Sequence, residues 1–63
     1  MKINGKTVEL KDVSIKKMLE ILDFNEKIVV VEVDRVIVAK EEYVDYMLDG
    51  SESVEVISFM GGG

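Results

Sequence analysis

The opening stretch MKINGKTVELKDVSIKKMLEIL, residues 1–22, decides the fold because it encodes a hairpin followed at once by an amphipathic helix. Asn4-Gly5 is a strong signal for a type I′ turn, whose two central residues both need positive φ. Apolar residues flank the turn at spacings of two: Met1 and Ile3 before it, Val8 and Leu10 after it. This pattern predicts two short strands that share one apolar face.

A single helix is predicted directly after the hairpin. Ser14 is a good N-cap, because its hydroxyl can accept a hydrogen bond from a free N–H group of the first helical turn. Apolar residues then recur at positions i, i+3, i+4 and i+7, namely Ile15, Met18, Leu19 and Leu22. The helix therefore has one apolar stripe, which we expect to face the core.

The rest of the chain predicts mainly strands. Residues 28–33 are β-branched almost throughout and predict a strand, either buried on both faces or left with one face uncovered. A turn at Asp34-Arg35 leads to a short strand over 36–38, and residues 40–48 have weak helical character. A last strand is predicted over Ser53–Phe59. The result is an α+β order: two strands, a helix, two strands, a short helical segment and a final strand.

Composition excludes several classes of function. The 63 residues carry a net charge of −5 and include no Cys and no His, which removes thiol chemistry and the usual general base. A core this small leaves little room for a catalytic cleft. The acidic balance and the absence of Trp do not suit nucleic acid, and no stretch is long enough to span a bilayer. We therefore expect a cytoplasmic protein that acts through partners and is not an enzyme.

The charge is distributed unevenly along the chain. Residues 1–31 carry six bases and five acids, whereas residues 32–63 carry two bases and eight acids. Either these acids form an ordinary solvated surface, or they steer a basic partner towards the C-terminal half. Glu41, Glu42 and Asp45 lack the glycine-bearing loop of a calcium site, so no metal site is predicted there.

The order of elements and the ending Gly61-Gly62-Gly63 resemble those of the ubiquitin-like β-grasp sulfur carriers, the ThiS/MoaD family, and its ThiS branch in particular. The resemblance covers essentially the whole chain. It rests on Ile3-Asn4-Gly5, Ser14–Leu22, Tyr43, Leu48-Asp49-Gly50, Val54-Glu55-Val56 and Phe59-Met60. Two segments differ from the family pattern: the turn at Asp34-Arg35 lacks Asn-Gly, and Gly50–Ser53 is one residue longer and lacks Asp.

The resemblance implies a definite architecture. The fold would be a ubiquitin-like β-grasp, with a mixed sheet of four to five strands and one main helix packed on one face. The first and last strands would be parallel neighbours at the centre of the sheet. Residues 1–60 would form this domain, and residues 61–63 a flexible C-terminal glycine tail.

The resemblance also implies a carrier function. An E1-like adenylyltransferase similar to ThiF would activate the Gly63 carboxylate with ATP. Sulfur from a donor such as a cysteine desulfurase would then give a thiocarboxylate, for use by a thiazole synthase similar to ThiG in thiamine biosynthesis. Gly61 and Gly62 would thread the terminus into partner active sites, because glycine permits close backbone approach. The carrier itself would bind no cofactor.

Alternation along the last strand predicts a docking surface. Val54 and Val56 lie on one face of that strand, and Ile57 and Phe59 on the other. If the helix covers the first face, Ile57, Phe59 and Met60 form an apolar patch beside the tail that docks partner enzymes. The alternative is a second small core beneath the Tyr43–Leu48 segment.

Several related functions stay open at the level of sequence. The chain length favours the ThiS branch over MoaD, the small subunit of molybdopterin synthase. A carrier for tRNA thiolation would use the same chemistry. A ubiquitin-like modifier would instead join Gly63 to a lysine through an isopeptide bond, and an interaction module would leave the glycines inert.

Overall fold

The computed structural model describes residues 1–59, and its centre is a mixed five-stranded sheet. Its strands are β1 (Lys2–Ile3), β2 (Lys6–Thr7), β4 (Val29–Val33), β5 (Val36–Val38) and β7 (Ser53–Ser58), in the order β2-β1-β7-β4-β5. The helix is α1 (Ile15–Ile21), and β3 (Val13–Ser14) pairs with β6 (Met47–Leu48) in a separate small sheet. Short 3-10 helices span Glu26–Ile28 and Lys40–Glu42.

The last strand lies at the centre of the main sheet. β7 runs parallel to β1 on one side and antiparallel to β4 on the other. The predicted central parallel pair and mixed sheet are therefore confirmed, and the arrangement is that of a β-grasp. The predicted domain boundary at residue 60 and the glycine tail concern residues outside the described part of the chain.

The opening hairpin forms as predicted. Asn4 and Gly5 have φ of 52° and 83°, as a type I′ turn requires. Regular strand structure ends at Thr7, earlier than the apolar pattern suggests, although the Val8 N–H still donates to the Met1 carbonyl at 2.8 Å. The Asn4 side chain also accepts from the Val56 N–H at 2.8 Å and donates to the Val56 carbonyl at 3.3 Å. Asn4 thus extends the contact between the hairpin and β7 beyond the end of β1.

The helix and one face of the sheet enclose a single core. The Ser14 hydroxyl caps α1 by accepting from the Lys17 N–H at 3.0 Å, as predicted. Burial along β4 alternates between buried and half-buried residues, so only one face of this strand is fully covered. The buried apolar residues are Ile3, Ile15, Met18, Leu19, Val29, Val31, Val33, Val38, Tyr43, Leu48, Val54 and Val56.

The predicted helical character over residues 40–48 is only partly correct. A 3-10 turn spans Lys40–Glu42, and the chain then turns into β6. The physical reason is tertiary: the buried Tyr43 hydroxyl accepts from the Val31 N–H at 3.2 Å. The Tyr43 and Tyr46 carbonyls accept hydrogen bonds from the first N–H groups of α1, which have no partner within the helix.

Side-chain hydrogen bonds stabilise the two turns that differ from the family pattern, at Asp34-Arg35 and at Gly50–Ser53. Asp34 and Arg35 form a turn with φ of 48° and 72°, and the Asp34 carboxylate accepts from the Ser53 N–H at 3.0 Å. The Glu52 carboxylate accepts from the Asp49 and Gly50 N–H groups at 2.9 and 3.0 Å. These acidic side chains therefore bind main-chain N–H groups within the turns.

Two predicted boundaries were wrong by one residue. Ile28 belongs to a 3-10 helix rather than to β4, and β7 ends at Ser58 rather than at Phe59. Asn25 explains the first difference, because its side chain accepts from the Lys27 N–H at 3.0 Å and caps the 3-10 turn.

Candidate functional site

The candidate site is the C-terminal end of β7. Phe59 follows the strand, and its N–H donates to the Ile28 carbonyl at 3.1 Å. Pairing with the β4 side of the sheet therefore continues for one residue beyond β7. Because β7 is the central strand, the segment that precedes the glycines leaves from the middle of the sheet rather than from an edge.

An uncovered apolar patch lies beside this end of the strand. Ile57 is 46% exposed and Phe59 is 57% exposed, on the sheet face opposite to α1. The half-buried Val30 lies directly opposite Ile57 on this face. Ile37 of β5, which is 65% exposed, lies on the same face, opposite Glu32. We call these four residues the open-face patch. Apolar side chains grouped at a surface in this way are typical of interaction sites.

The alternative prediction, a second core beneath the Tyr43–Leu48 segment, was wrong. Tyr43 and Leu48 are buried in the main core together with the α1 residues. They therefore cannot cover Ile57 or Phe59 on the other face of the sheet. The prediction that Ile57 and Phe59 lie on the uncovered face is confirmed, whereas Met60 lies outside the described residues.

Two carboxylates border the open-face patch. Glu32 of β4 and Glu55 of β7 are directly opposite each other on the same face. Like charges at such positions repel and cost stability. This acidic pair gives one side of the patch a negative potential.

A lysine contacts the patch at its other end. The Lys40 ammonium lies 5.5 Å from the centroid of the Phe59 ring and donates to the Lys27 carbonyl at 2.9 Å. The sequence pattern did not predict this contact, nor that Val30 and Ile37 belong to the patch. The sequence feature that could have drawn attention to Lys40 is that it is one of only two bases in residues 32–63.

Two observations on the described residues concern metal binding and acid–base chemistry. Within residues 1–59, no group of three or more His, Cys, Asp or Glu side chains could hold a metal ion. An open groove lies between residues 7–11 and 49–51, and its Asp49 carboxylate already accepts from the Ser51 N–H and hydroxyl. These bonds hold the pKa of Asp49 below its usual value, which makes it a poor general base.

Membrane crossing by a helix can also be tested on the described residues. None of the helices in residues 1–59 is long and apolar enough to cross a membrane. The predicted tail residues Gly61, Gly62 and Gly63 lie outside the described part, so their roles stay predictions.

These features define a class of protein: ubiquitin-like β-grasp domains whose central strand ends beside an uncovered apolar patch. The chain belongs to the ThiS family, whose family model matches residues 1–63. It is 34% identical over 65 residues to the sulfur carrier protein ThiS of Bacillus subtilis (strain 168), a match that covers 100% of this chain and 98% of that protein.

A solved structure supports the same assignment. The chain is similar to the crystal structure of the thiamine biosynthesis protein ThiS from Geobacter metallireducens, with a TM-score of 0.80 and 27% identity. The match covers 98% of this chain and 96% of the solved chain. The predicted family and the predicted β-grasp fold are therefore confirmed.

Proposed function

We propose that this protein carries sulfur as a thiocarboxylate on its C-terminal residue, Gly63, for the thiazole of thiamine. The observation that carries the proposal is the match to the ThiS family over residues 1–63, which includes Gly61, Gly62 and Gly63. The position of Phe59 directly after the central strand supports it, because only Met60 separates Phe59 from the glycines in the sequence.

The chemistry explains why such a carrier needs partner enzymes. A carboxylate is a poor electrophile, so one of its oxygens first attacks the α-phosphorus of ATP, and pyrophosphate leaves. The sulfur of a donor persulfide then displaces AMP, and a thiol cleaves the resulting S–S bond to leave the thiocarboxylate. Beyond the carboxylate itself, this scheme asks no nucleophile, acid or base of the carrier: the persulfide and the thiol act in the later steps, and the partner enzymes supply the acids and bases. The carrier can therefore lack Cys and His.

The open-face patch would dock the partners while the tail enters their active sites. In this proposal Ile57 and Phe59, with Met60, contact the adenylyltransferase and later the thiazole synthase. Gly61 and Gly62 form the thread, because a residue without Cβ fits a narrow channel and tolerates unusual φ and ψ. ATP is used by the partner enzyme, and we place the protein in the cytoplasm with these enzymes.

Intact mass measures the proposed modification directly. The full chain is incubated with an E1-like adenylyltransferase, ATP, a cysteine desulfurase, cysteine and a thiol reductant. The expected result is a gain equal to the mass difference between sulfur and oxygen. Affinity capture with thiazole synthase, compared with the large subunit of molybdopterin synthase, then identifies the acceptor. An isopeptide adduct on lysine would indicate a protein modifier instead.

Two tail variants test whether Gly63 is the reacting residue. Deletion of Gly63 shortens the reach by up to about 3.5 Å. Errors of about 1 Å in position can already cost 100-fold in rate. Gly62→Val adds a β-branched side chain to the thread. Both variants should lose ATP–pyrophosphate exchange and keep the wild-type melting temperature. Near-wild-type exchange by both would overturn the proposal, and a large drop in melting temperature would show that the tail is structural.

A further inference from the structure

The geometry points to Lys40 as a positioning residue that holds the Phe59 ring in the orientation in which the adenylyltransferase binds it. The inference rests on the proposed function. It assigns a role to a side chain that is remote from the glycines in sequence and contacts the last residue before Met60.

Three separate segments meet at this contact. The Lys40 ammonium donates to the Lys27 carbonyl at 2.9 Å and lies 5.5 Å from the Phe59 ring centroid. The Phe59 N–H donates to the Ile28 carbonyl at 3.1 Å. Phe59 is thus held at its backbone by Ile28 and at its ring by Lys40, and both contacts are anchored to the same 3-10 turn, Glu26–Ile28.

The Lys40 ammonium contacts the Phe59 ring and the Lys27 carbonyl although acids are adjacent to it in the sequence. Lys40 is followed by two exposed acids, Glu41 and Glu42. Among the contacts within residues 1–59, its ammonium nonetheless pairs with the Lys27 carbonyl and the Phe59 ring and with no carboxylate. A cation over an aromatic face is attracted by the ring quadrupole.

The exposure of Phe59 explains why Lys40 can position its ring. Phe59 is 57% exposed, so packing alone does not fix the orientation of its ring. Without the ammonium, the Phe59 ring would sample more orientations. The enzyme would then have to order the ring on binding, which weakens binding and leaves the chemical step unchanged.

The kinetic test uses ATP–pyrophosphate exchange with the full chain and the E1-like adenylyltransferase. Lys40→Met removes the charge and keeps most of the stem. It should raise the KM for the carrier about two- to fivefold, the range of an exposed cation–π contact, with kcat unchanged. Lys40→Arg keeps a cation and should restore the KM. Lys17→Met makes the same charge change on the exposed side of α1 and should leave the KM at the wild-type value.

A second arm measures the contact in the free protein by NMR. Lys40→Met should shift the Phe59 ring resonances and speed exchange of the Phe59 amide, with the melting temperature within a few degrees of wild type. Lys17→Met should do neither. Unchanged Phe59 signals in Lys40→Met, or equal KM values for Lys40→Met and Lys17→Met, would overturn the role of Lys40. No exchange with the wild-type chain would instead overturn the proposed function itself.

Discussion

At the scale of single residues, Gly50 is required by both its backbone angle and its surroundings. Its φ is +109°, and a Cβ added there would lie 2.8 Å from the Lys11 Cβ and 3.1 Å from the Leu10 carbonyl oxygen. Such contacts force the backbone to move. The turn at residues 49–52 is therefore closed by a residue that has no side chain.

Gly50→Ala should consequently lower the free energy of unfolding by about 2–5 kcal/mol, from backbone strain together with overpacking. The matched control is Gly5→Ala, because Gly5 also has positive φ, at +83°, but has no atom within 4 Å of an added Cβ. In the control, the free energy of unfolding should fall by only about 1–2 kcal/mol. Urea denaturation of both variants is the measurement, and equal losses would show that the close approach to Lys11 is unimportant.

The Tyr43 hydroxyl gives the protein a pH dependence in alkali. Burial raises the pKa of Tyr43 above its ordinary value of 10.0, although the hydrogen bond from the Val31 N–H opposes this shift. Because the folded-state pKa is the higher one, this contribution to stability is complete below about pH 10 and is lost as the pH rises towards the folded-state value.

Tyr43→Phe tests this dependence. Near neutral pH the variant should lose about 1 kcal/mol of unfolding free energy, because the hydrogen bond from the Val31 N–H is gone. The difference between wild type and variant should shrink as the pH rises above about 10. Urea denaturation across this range is the measurement, and a constant difference at every pH would contradict the raised pKa.

At the scale of elements, the β4–β5 hairpin is strained at its turn. Asp34 and Arg35 both have positive φ, and within residues 1–59 the Asp34 carboxylate accepts a hydrogen bond from the Ser53 N–H whereas the Arg35 side chain makes none. Arg35, at φ 72°, has the conformation that glycine adopts most readily. The turn thus keeps type I′ geometry with a less suitable residue at its second position.

Arg35→Gly should raise the free energy of unfolding by about 0.5–1 kcal/mol, since relief of strain exceeds the added entropy of the unfolded chain. Arg35→Ala is the control, because it removes the same side chain and keeps the backbone strain. Its free energy of unfolding should not exceed that of the wild type. Thermal and urea denaturation measure both. A gain of equal size in both variants would indicate an effect of the Arg35 side chain and not of the turn.

At the scale of the whole molecule, part of the acidic excess has a structural explanation. Asp34, Asp49 and Glu52 accept hydrogen bonds from backbone N–H groups in the turns. Glu41, Glu42 and Asp45 are exposed on the segment after β5. These three can therefore act on an approaching partner, as can Glu32 and Glu55 beside the open-face patch.

Neutralising them as Glu41→Gln, Glu42→Gln and Asp45→Asn should slow association with the adenylyltransferase at low salt if they steer a basic partner. The effect should fade as the Debye length shortens towards about 8 Å at physiological ionic strength. Stopped-flow association rates at several salt concentrations are the measurement. Equal rates for wild type and variant at low salt would leave only a solvated acidic surface.

Features that depend on residues close together in the chain could be predicted from the sequence alone. Asn4-Gly5 sets a turn through its own φ angles, Ser14 caps the helix that it precedes, and alternation places Ile57 on the face opposite to Val56. The glycine ending and the order of elements were also enough to indicate the family. The match to the ThiS family model and the identity with Bacillus subtilis ThiS confirmed it. All these signals act over a few residues or are properties of the chain itself.

Tertiary structure decided what depends on partners far apart in the chain. Residues 40–48 form only a 3-10 turn and then pair with β3 as β6, and the Tyr43 and Tyr46 carbonyls accept hydrogen bonds from the first N–H groups of α1. The Asn4 amide reached Val56, and the Lys40 ammonium reached Phe59, only once the sheet had brought them together. Such contacts have no periodicity in the sequence, since their free energy depends on distances that only the folded chain fixes.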